Sequence, residues 1–234
     1  MSRAYLLAVT LVVAGAHAAP AGSIKGVVKA QLTGAAPSAE VKMTDDPACL
    51  AKHTKPVSEE KLVLDASKNV KYAFVGIKSG FPEGQAFRAP VEPAVIDQNG
   101  CMFTPHVVGV MAGQGLKVLN SDGVLHNVHL MGKANREVNK AMPAFTKKMV
   151  LPGTNFAKPE TIPLKCDAHP WMNSFVVVAA NPYFAVSAAD GSFEIKDVPA
   201  GNYVVEVWHE YLGTKTQNVQ VGDGVATANF TLSK

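Results

Sequence analysis

The chain has 234 residues, of which 47% are hydrophobic and 18% are charged, and its formal net charge at pH 7 is +3. A net charge this small, with basic residues spread along the chain and not clustered, does not predict nucleic-acid binding. The apolar content is sufficient for a buried core, and the length fits one domain or two.

The first eighteen residues have the pattern of a secretory signal peptide. Arg3 supplies the positive charge, residues 4–16 form a short apolar run, and Ala16-His-Ala18 fits a small-residue cleavage site. This run is too short to span a bilayer, and no other stretch approaches eighteen apolar residues. We therefore expect an exported protein without a transmembrane segment, located in the oxidising periplasm of a bacterial cell.

The patterned segments that follow are typical of β-strands, because they are short, rich in Val and aromatic residues, and bounded by Gly, Pro, Asn or Asp. Regularly spaced short strands predict an all-β chain built of β-sandwiches. The segment 132–148 lacks period-two alternation and fits either a loop or a short helix. The predicted strands are 70–77, 104–110, 115–119, 175–179 and 203–208.

Two segments carry side chains that can bind a soft metal ion. The heptapeptide Cys166-Asp-Ala-His169-Pro-Trp-Met172 offers a thiolate, an imidazole and a thioether, and His126 precedes it by forty residues. One extended strand could not bring the three heptapeptide ligands to one ion, so the loop must wrap the ion while His126 approaches from another strand. This ligand set is that of a mononuclear copper site with a weak axial methionine, which predicts transfer of single electrons.

The same residues resemble a known family. The pattern Cys166-x-x-His169-Pro-x-Met172 is similar to the ligand loop of amicyanin, one of the plastocyanin-like blue-copper proteins, or cupredoxins. The stretch 120–128 resembles the segment that carries the first histidine ligand in that family. The resemblance implies a cupredoxin-like Greek-key β-sandwich around a single copper ion.

By this resemblance, His126, Cys166 and His169 are the strong equatorial ligands and Met172 is the axial ligand. Asn127 would join the strand of His126 to the loop of Cys166. The resemblance therefore assigns one role to each of five side chains, all in the second half of the chain.

The resemblance also implies a docking surface for redox partner proteins. In cupredoxins an edge of the loop histidine, here His169, reaches the surface through a ring of apolar residues and forms the electron exit. Trp171 either belongs to such a patch or packs the loop against the N-terminal strands. A small apolar patch suits brief encounters between redox proteins.

Three cysteines in an exported protein leave one unpaired. If Cys166 is a copper thiolate, the other two cysteines, Cys49 and Cys101, can form a disulfide. This disulfide would stabilise the fold by roughly 4 kcal/mol. Alternatively, Cys101 and His106 belong to a second metal site. His106 by itself either approaches the copper region as an additional ligand or fills the sheet.

The remaining histidines are expected to lie outside the site. His129 follows His126 by three residues, and side chains alternate faces along a strand, so His129 points to the opposite, exposed face. His53 and His209 lie outside the region that resembles cupredoxins, and we expect them to be solvated.

The chain changes character after Asn181. Segment 183–195 is interpreted as a β-hairpin with a turn at Asp190-Gly191. Segment 197–209 resembles the core strand of the small β-sandwich in carboxypeptidase-regulatory, prealbumin-like domains, and Tyr203 would be a packing residue.

These patterns predict three parts of the chain. They are a signal peptide at 1–18, a cupredoxin-like domain at 19–180 and a prealbumin-like module at 181–234. Because fifty-odd residues are marginal for an independent core, segment 19–40 could donate strands to the module. An inserted and a serial domain arrangement both remain open.

We expect an electron carrier and not an enzyme. Four protein ligands leave no position for a substrate, and the sequence has no nucleophile–base pair, phosphate-binding loop or carboxylate pair. The alternatives are a copper-binding or chaperone protein, in which Met131, Met142 and Met149 could form a second site, and a metal-free structural or adhesive β-sandwich protein. The oligomeric state and the identity of the redox partners stay open.

Overall fold

A computed structural model describes residues 21–234. The predicted signal peptide at 1–18 lies outside the described residues. Within the described part of the chain, no helix is long and apolar enough to cross a membrane.

The described chain is nearly all β, which confirms the predicted fold class. Segment 132–148, for which the sequence allowed a loop or a short helix, contains a strand instead. The elements are β1 (Ala21–Gln31), α1 (Pro47–Leu50), β2 (Phe74–Ser79), β3 (Ala94–Gln98), β4 (Phe103–Thr104), β5 (Val107–Met111), β6 (Leu116–Asn120), β7 (His126–Leu130), β8 (Val138–Met142), β9 (Lys148–Leu151), a 3-10 helix (Gly153–Phe156), β10 (Glu160–Lys165), β11 (Asn173–Ala179), β12 (Phe184–Val186), β13 (Ser192–Pro199), β14 (Gly201–His209), β15 (Gly213–Val221), β16 (Val225–Thr227) and β17 (Phe230–Ser233).

The larger of two sandwiches consists of one sheet with strand order β5-β11-β10-β7-β8 and a second with order β4-β3-β6-β9. Both sheets contribute to one hydrophobic core, in which Ile96 and Leu116 of the second sheet meet Leu164 and Val176 of the first. Alternating apolar residues on these strands bury one face of each sheet, which is the pattern of a β-sandwich. Strands β7, β10 and β11, which flank the predicted ligands, are neighbours in the first sheet.

The smaller sandwich combines strands from both ends of the described chain. Strand β1 lies between β13 and β16 and also pairs with β17, while β12, β2, β14 and β15 form the facing sheet. Ile24 and Val28 of β1 share a core with Val75 of β2 and Val205 of β14. Strands that precede and follow the larger sandwich in the sequence therefore meet in the smaller one. Its resemblance to prealbumin-like modules stays a prediction.

The predicted hairpin at 183–195 is wrong about strand pairing. A turn is present, with Gly191 at a φ of +73°, a conformation that glycine adopts without steric cost. However, β12 pairs with β2 and β13 pairs with β1. The two strands enter different sheets of the smaller sandwich, because a sequence pattern identifies a strand without specifying its partner.

His209 is buried and not solvated, contrary to the sequence-based expectation. Its side chain is 2% exposed at the end of β14, and its Nδ1 accepts hydrogen bonds from the backbone N–H groups of Tyr211 (3.2 Å) and Leu212 (3.4 Å). An imidazole nitrogen can accept only when it carries no proton. The fold therefore requires the neutral form of this ring.

Acid should consequently destabilise the fold through His209. Burial, and then the charge of His106, lower the pKa of His209 to about 4. A histidine in the unfolded chain has a pKa of about 6.5. Between these values the unfolded chain binds a proton that the folded chain excludes. The free energy of unfolding should fall by up to about 1.4 kcal/mol per pH unit as the pH drops from about 6.5 to about 4. Chemical denaturation across this pH range measures the effect.

A His209→Asn variant is the control for this prediction. The asparagine oxygen can accept from the same backbone N–H groups and does not titrate. The difference in pH dependence between wild type and variant isolates this ring from the other carboxyl and imidazole groups. Equal losses of stability in acid for both proteins would contradict the assignment.

Candidate metal centre

The predicted ligands lie at one end of the larger sandwich. His126 is the first residue of β7, and the loop between β10 and β11 carries Cys166, His169 and Met172. This loop is a compact turn, because Met172 N donates to the His169 carbonyl (2.9 Å) and Cys166 N donates to the Met172 carbonyl (3.1 Å). Since β10 and β11 are paired directly below it, at Lys165 and Asn173, the loop has little room to unfold.

Three of the four predicted ligands converge. Cys166 Sγ lies 3.9 Å from His126 Nδ1 and 3.5 Å from His169 Nδ1, and the two Nδ1 atoms are 2.9 Å apart. The residues are almost fully buried, with exposures of 0% for His126, 2% for Cys166 and 4% for His169. Residues forty positions apart in the sequence thus present three ligand atoms to one point.

Met172, the fourth predicted ligand, lies at the end of the same loop. Its side chain is fully buried and belongs to the core cluster that also contains Cys166. The backbone bonds that close the loop attach Met172 to both Cys166 and His169. The turn therefore keeps the backbone of Met172 close to Cys166 and His169.

Each histidine of the site has a carboxylate partner on its outer nitrogen. Nε2 of His126 donates to Asp122 Oδ2 (3.0 Å), and Nε2 of His169 donates to Asp46 Oδ2 (3.0 Å). An ionised carboxylate can only accept, so both Nε2 atoms carry protons. Consequently both Nδ1 atoms are available to present lone pairs towards Cys166. Such carboxylate–histidine pairs are typical of metal ligands, whose tautomer and ring orientation they set.

The histidine contacts also stabilise the carboxylates as anions. A hydrogen bond from His169, followed by one from the Cys49 backbone, lowers the pKa of Asp46. Burial alone would raise the pKa of Asp122, but hydrogen bonds from His126 and from the Cys101 backbone outweigh it, and the pKa is lowered. Both carboxylates are therefore acceptors at neutral pH.

The 2.9 Å approach of the two Nδ1 atoms requires a cation between them. Two lone pairs at this distance repel each other unless they share a proton or a metal ion. In the metal-free protein the proton is available from His126: burial lowers its pKa, but Asp122 and Cys166 outweigh burial and raise it. Donor separations of 2.9 to 3.9 Å also suit atoms bound to one ion through bonds of about 2.0 to 2.3 Å. The residues present thus fit a single soft metal ion.

The Cys166 thiol is readily ionised in this environment. Burial raises its pKa, but the polar contacts with His126, with the Asn127 backbone N–H and with His169 outweigh burial and lower the pKa to about 7. A thiolate is the metal-binding form of cysteine. The site thus prepares the sulfur for coordination.

The loop is fastened to β7 in the way that the sequence predicted. Asn127 Oδ1 accepts a hydrogen bond from the backbone N–H of Asp167, and Asn127 Nδ2 donates to Asp167 Oδ2 (3.0 Å). His129 lies outside the ligand cluster. Its Nδ1 contacts Asp167 Oδ1 (2.9 Å) and its Nε2 contacts Glu137 Oε1 (2.9 Å), and these carboxylates raise its pKa.

The disulfide between Cys49 and Cys101 is present, with the two Cα atoms 5.6 Å apart. The alternative of a second metal site at Cys101 and His106 is therefore wrong. The His106 ring is buried among other partners: its Nε2 contacts the carboxylate of Glu210, and its Nδ1 lies 3.9 Å from Glu60 Oε2. Among the described residues, Cys166 is the free cysteine.

The exposed histidine edge that the resemblance implied is absent. His169 is 4% exposed, and Asp46 covers its outer nitrogen. Trp171 lies beside it, with ring centroids 5.1 Å apart, and donates from Nε1 to the Cys101 carbonyl (3.0 Å). Trp171 therefore packs the ligand loop, as in the packing alternative, but its partner is the segment at Cys101 and not the N-terminal strands.

Comparison with known proteins finds similarity in structure alone. No protein-family model matches the chain, and no curated protein matches it. A copper-containing nitrite reductase from Thermus scotoductus is 17% identical, with a TM-score of 0.34, over 43% of this chain and 25% of that one. A methionine-to-alanine mutant of amicyanin in its Cu(I) form is 22% identical over 45% of this chain and 98% of that one, with a TM-score of 0.32.

A purple cupredoxin from Nitrosopumilus maritimus is 17% identical, with a TM-score of 0.31, over 37% of this chain and 99% of that one. The match to the nitrite reductase spans only a quarter of that protein's length. Similarity this low transfers no activity.

Proposed function

We propose that this protein binds one copper ion through His126, Cys166, His169 and Met172 and carries single electrons between partner proteins. The observation that carries the proposal is the 2.9 Å approach of two imidazole Nδ1 atoms beside a buried thiol, with both outer nitrogens held by carboxylates. In the metal-free protein a proton bridges the two facing lone pairs. A soft cation would take the place of this proton and bind both rings together with the Cys166 sulfur.

The protein's own part in the reaction is to hold the ligands still. Copper bound here supplies a one-electron couple between Cu(I) and Cu(II). Asp46 and Asp122 fix the two rings, the closed loop fixes Cys166, and the surrounding core excludes water. With the ligands held in one arrangement, little reorganisation accompanies a change of charge.

We propose a carrier rather than an enzyme, because three buried ligands and a buried methionine leave no evident room for a substrate. We further propose that the protein is exported to the periplasm and meets its redox partners in brief encounters. The copper chaperone alternative loses Met142 as a candidate ligand, because Met142 is fully buried and its sulfur accepts a hydrogen bond from Gln98 Nε2 (3.0 Å).

Visible absorption and electron paramagnetic resonance spectra, with the metal content of the same sample, test this function. A thiolate bound to Cu(II) gives intense colour that disappears on reduction and returns on oxidation. One copper per chain with reversible colour is the expected result. A purified protein that takes up no copper, or that loses it on every reduction, would contradict the electron-carrier function.

Replacing Met172 by leucine should raise the reduction potential and keep copper bound. Leucine has nearly the same volume but lacks the sulfur, so Cu(II) loses an axial donor while the three strong ligands stay. Redox titration of the coloured protein measures the shift. Met149→Leu on β9 is the matched control, because Met149 packs against the same core outside the ligand loop. Equal potentials for wild type and Met172→Leu would show that Met172 is not an axial ligand.

A further inference from the structure

A segment far upstream of the ligands closes over the metal centre. We call residues 40–58 the tethered segment. A bridge between Glu40 and Ser58 closes its base. It is fastened to the larger sandwich by the Cys49–Cys101 disulfide and by His53 Nε2, which lies 2.7 Å from the Gly100 carbonyl oxygen.

The tethered segment and the metal centre meet at His169. Cys49 Sγ lies 3.6 Å from Nε2 of His169, and Asp46 Oδ2 lies 3.0 Å from the same nitrogen. Lys52 donates to the carbonyl of Asp122 (2.9 Å), the residue that holds the other histidine. The tethered segment thus contacts the outer side of the centre at several points.

The disulfide also places the two carboxylates in matching positions. Asp46 accepts a hydrogen bond from Cys49 N (3.0 Å), and Asp122 accepts one from Cys101 N (2.8 Å). Each carboxylate then holds the outer nitrogen of one histidine. The disulfide therefore links the two backbone segments that hold Asp46 and Asp122.

The two oxygens of Asp46 have separate and fixed tasks. Oδ1 accepts from the backbone N–H groups of Ala48 (3.0 Å) and Cys49 (3.0 Å) as the N-cap of α1. Oδ2 accepts from Nε2 of His169. Because the capping bonds hold Oδ1, the carboxyl group cannot rotate freely, and Oδ2 stays directed at the ring.

We propose that Asp46 is a positioning residue of the metal centre, delivered by the tethered segment to hold His169 with its proton on Nε2 and its lone pair on Nδ1. Nδ1 of His169 lies 3.5 Å from Cys166 Sγ, so this tautomer presents the lone pair to the metal position. The consequence for copper rests on the proposed function. The tautomer itself is a property of the metal-free protein.

Asp46→Asn tests the assignment because the helix cap dictates how the new amide is oriented. The amide oxygen must take the capping position, since Ala48 and Cys49 offer only N–H donors, and asparagine is a favourable N-cap. The amide NH₂ then faces Nε2 of His169 and requires an acceptor there. The ring should therefore shift its proton to Nδ1, on the side of Cys166.

Long-range nitrogen–proton NMR couplings of metal-free protein in mildly alkaline solution report the tautomer of His169 directly. We expect the Nε2–H form in the wild type and the Nδ1–H form in Asp46→Asn. Asp45→Asn removes the same charge from the adjacent residue, which is exposed, and should keep the Nε2–H form. A retained Nε2–H form in Asp46→Asn, or an equal shift in Asp45→Asn, would overturn the proposal.

Asp46→Ser covers the case in which the asparagine variant does not fold. Serine preserves the N-cap but is too short to reach His169, so the ring should populate both tautomers. A ring that keeps the wild-type proportion of Nε2–H in Asp46→Ser would equally overturn the proposal.

Copper affinity provides the second measurement. Loss of an outer hydrogen-bond partner costs about 10–100-fold in metal affinity, so Asp46→Asn should bind Cu(I) that much more weakly than Asp45→Asn in competition with a chelator. If the wild type binds no copper, the proposed function fails while the NMR result still decides the role of Asp46. If the wild type binds copper and Asp46→Asn binds it equally well with an unchanged tautomer, the role of Asp46 fails alone.

Discussion

Replacing Cys166 by alanine should abolish the thiolate–copper colour and the reversible redox response, while the protein stays folded. The sulfur lies within 4 Å of both Nδ1 atoms and is the anion of the site. Loss of an outer partner already costs up to about 100-fold in metal affinity. Removing a direct thiolate ligand should cost more than that. Absorption spectroscopy and competition with a chelator measure the two effects.

His129→Ala is the control for this variant. His129 is close to His126 in the sequence, but its ring is bound to Asp167 and Glu137 and is absent from the ligand cluster. It should keep both colour and copper. Persistent colour in Cys166→Ala would show that the sulfur is not a ligand, and loss of copper in His129→Ala would show that the ligand set is incomplete.

Removing the Cys49–Cys101 disulfide should lower the free energy of unfolding by about 4 kcal/mol, on the chain-entropy model for a loop with this separation of 52 residues. Both cysteines are fully buried, and the disulfide fastens the tethered segment. Denaturant unfolding of the metal-free Cys49→Ala/Cys101→Ala double variant measures the loss.

The Cys49→Ser/Cys101→Ser double variant separates the covalent effect from the effect of side-chain polarity. Serine buries hydroxyl groups at both positions, so its additional loss relative to alanine reports polarity alone. The loss that the two double variants share reports the covalent bond. A stability for the alanine variant within about 1 kcal/mol of the wild type would contradict the prediction.

The ligand loop could be predicted from sequence because its structure is local. Cys166, His169 and Met172 lie within one turn, and the hydrogen bonds that close the turn join residues of that turn. His126 could be added because its residue type completed a known ligand set. With Cys166 assigned to copper, the other two of the three cysteines were left to pair, and the structure contains this Cys49–Cys101 disulfide.

The burial of His209 was missed although the sequence contained a signal for it. Tyr203, Val205 and Val207 alternate along β14 and all point into the core. His209 continues the same alternation, so strand periodicity places it on the buried face. The solvated interpretation rested on its position outside the region that resembles cupredoxins, and the backbone donors at Tyr211 and Leu212 instead satisfy the buried ring.

The sequence by itself determined the all-β character, the candidate ligands and the turn that groups three of them, because these depend on residue type and short spacing. The tertiary structure alone decided that Asp46, 123 residues before His169, covers that ring. It also decided that β12 and β13 enter different sheets. Backbone hydrogen bonds between strands are the same for any sequence, and contacts across long loops are selected by the packing of the whole core. The sequence pattern therefore does not show which strands pair, or that Asp46 and His169 come into contact.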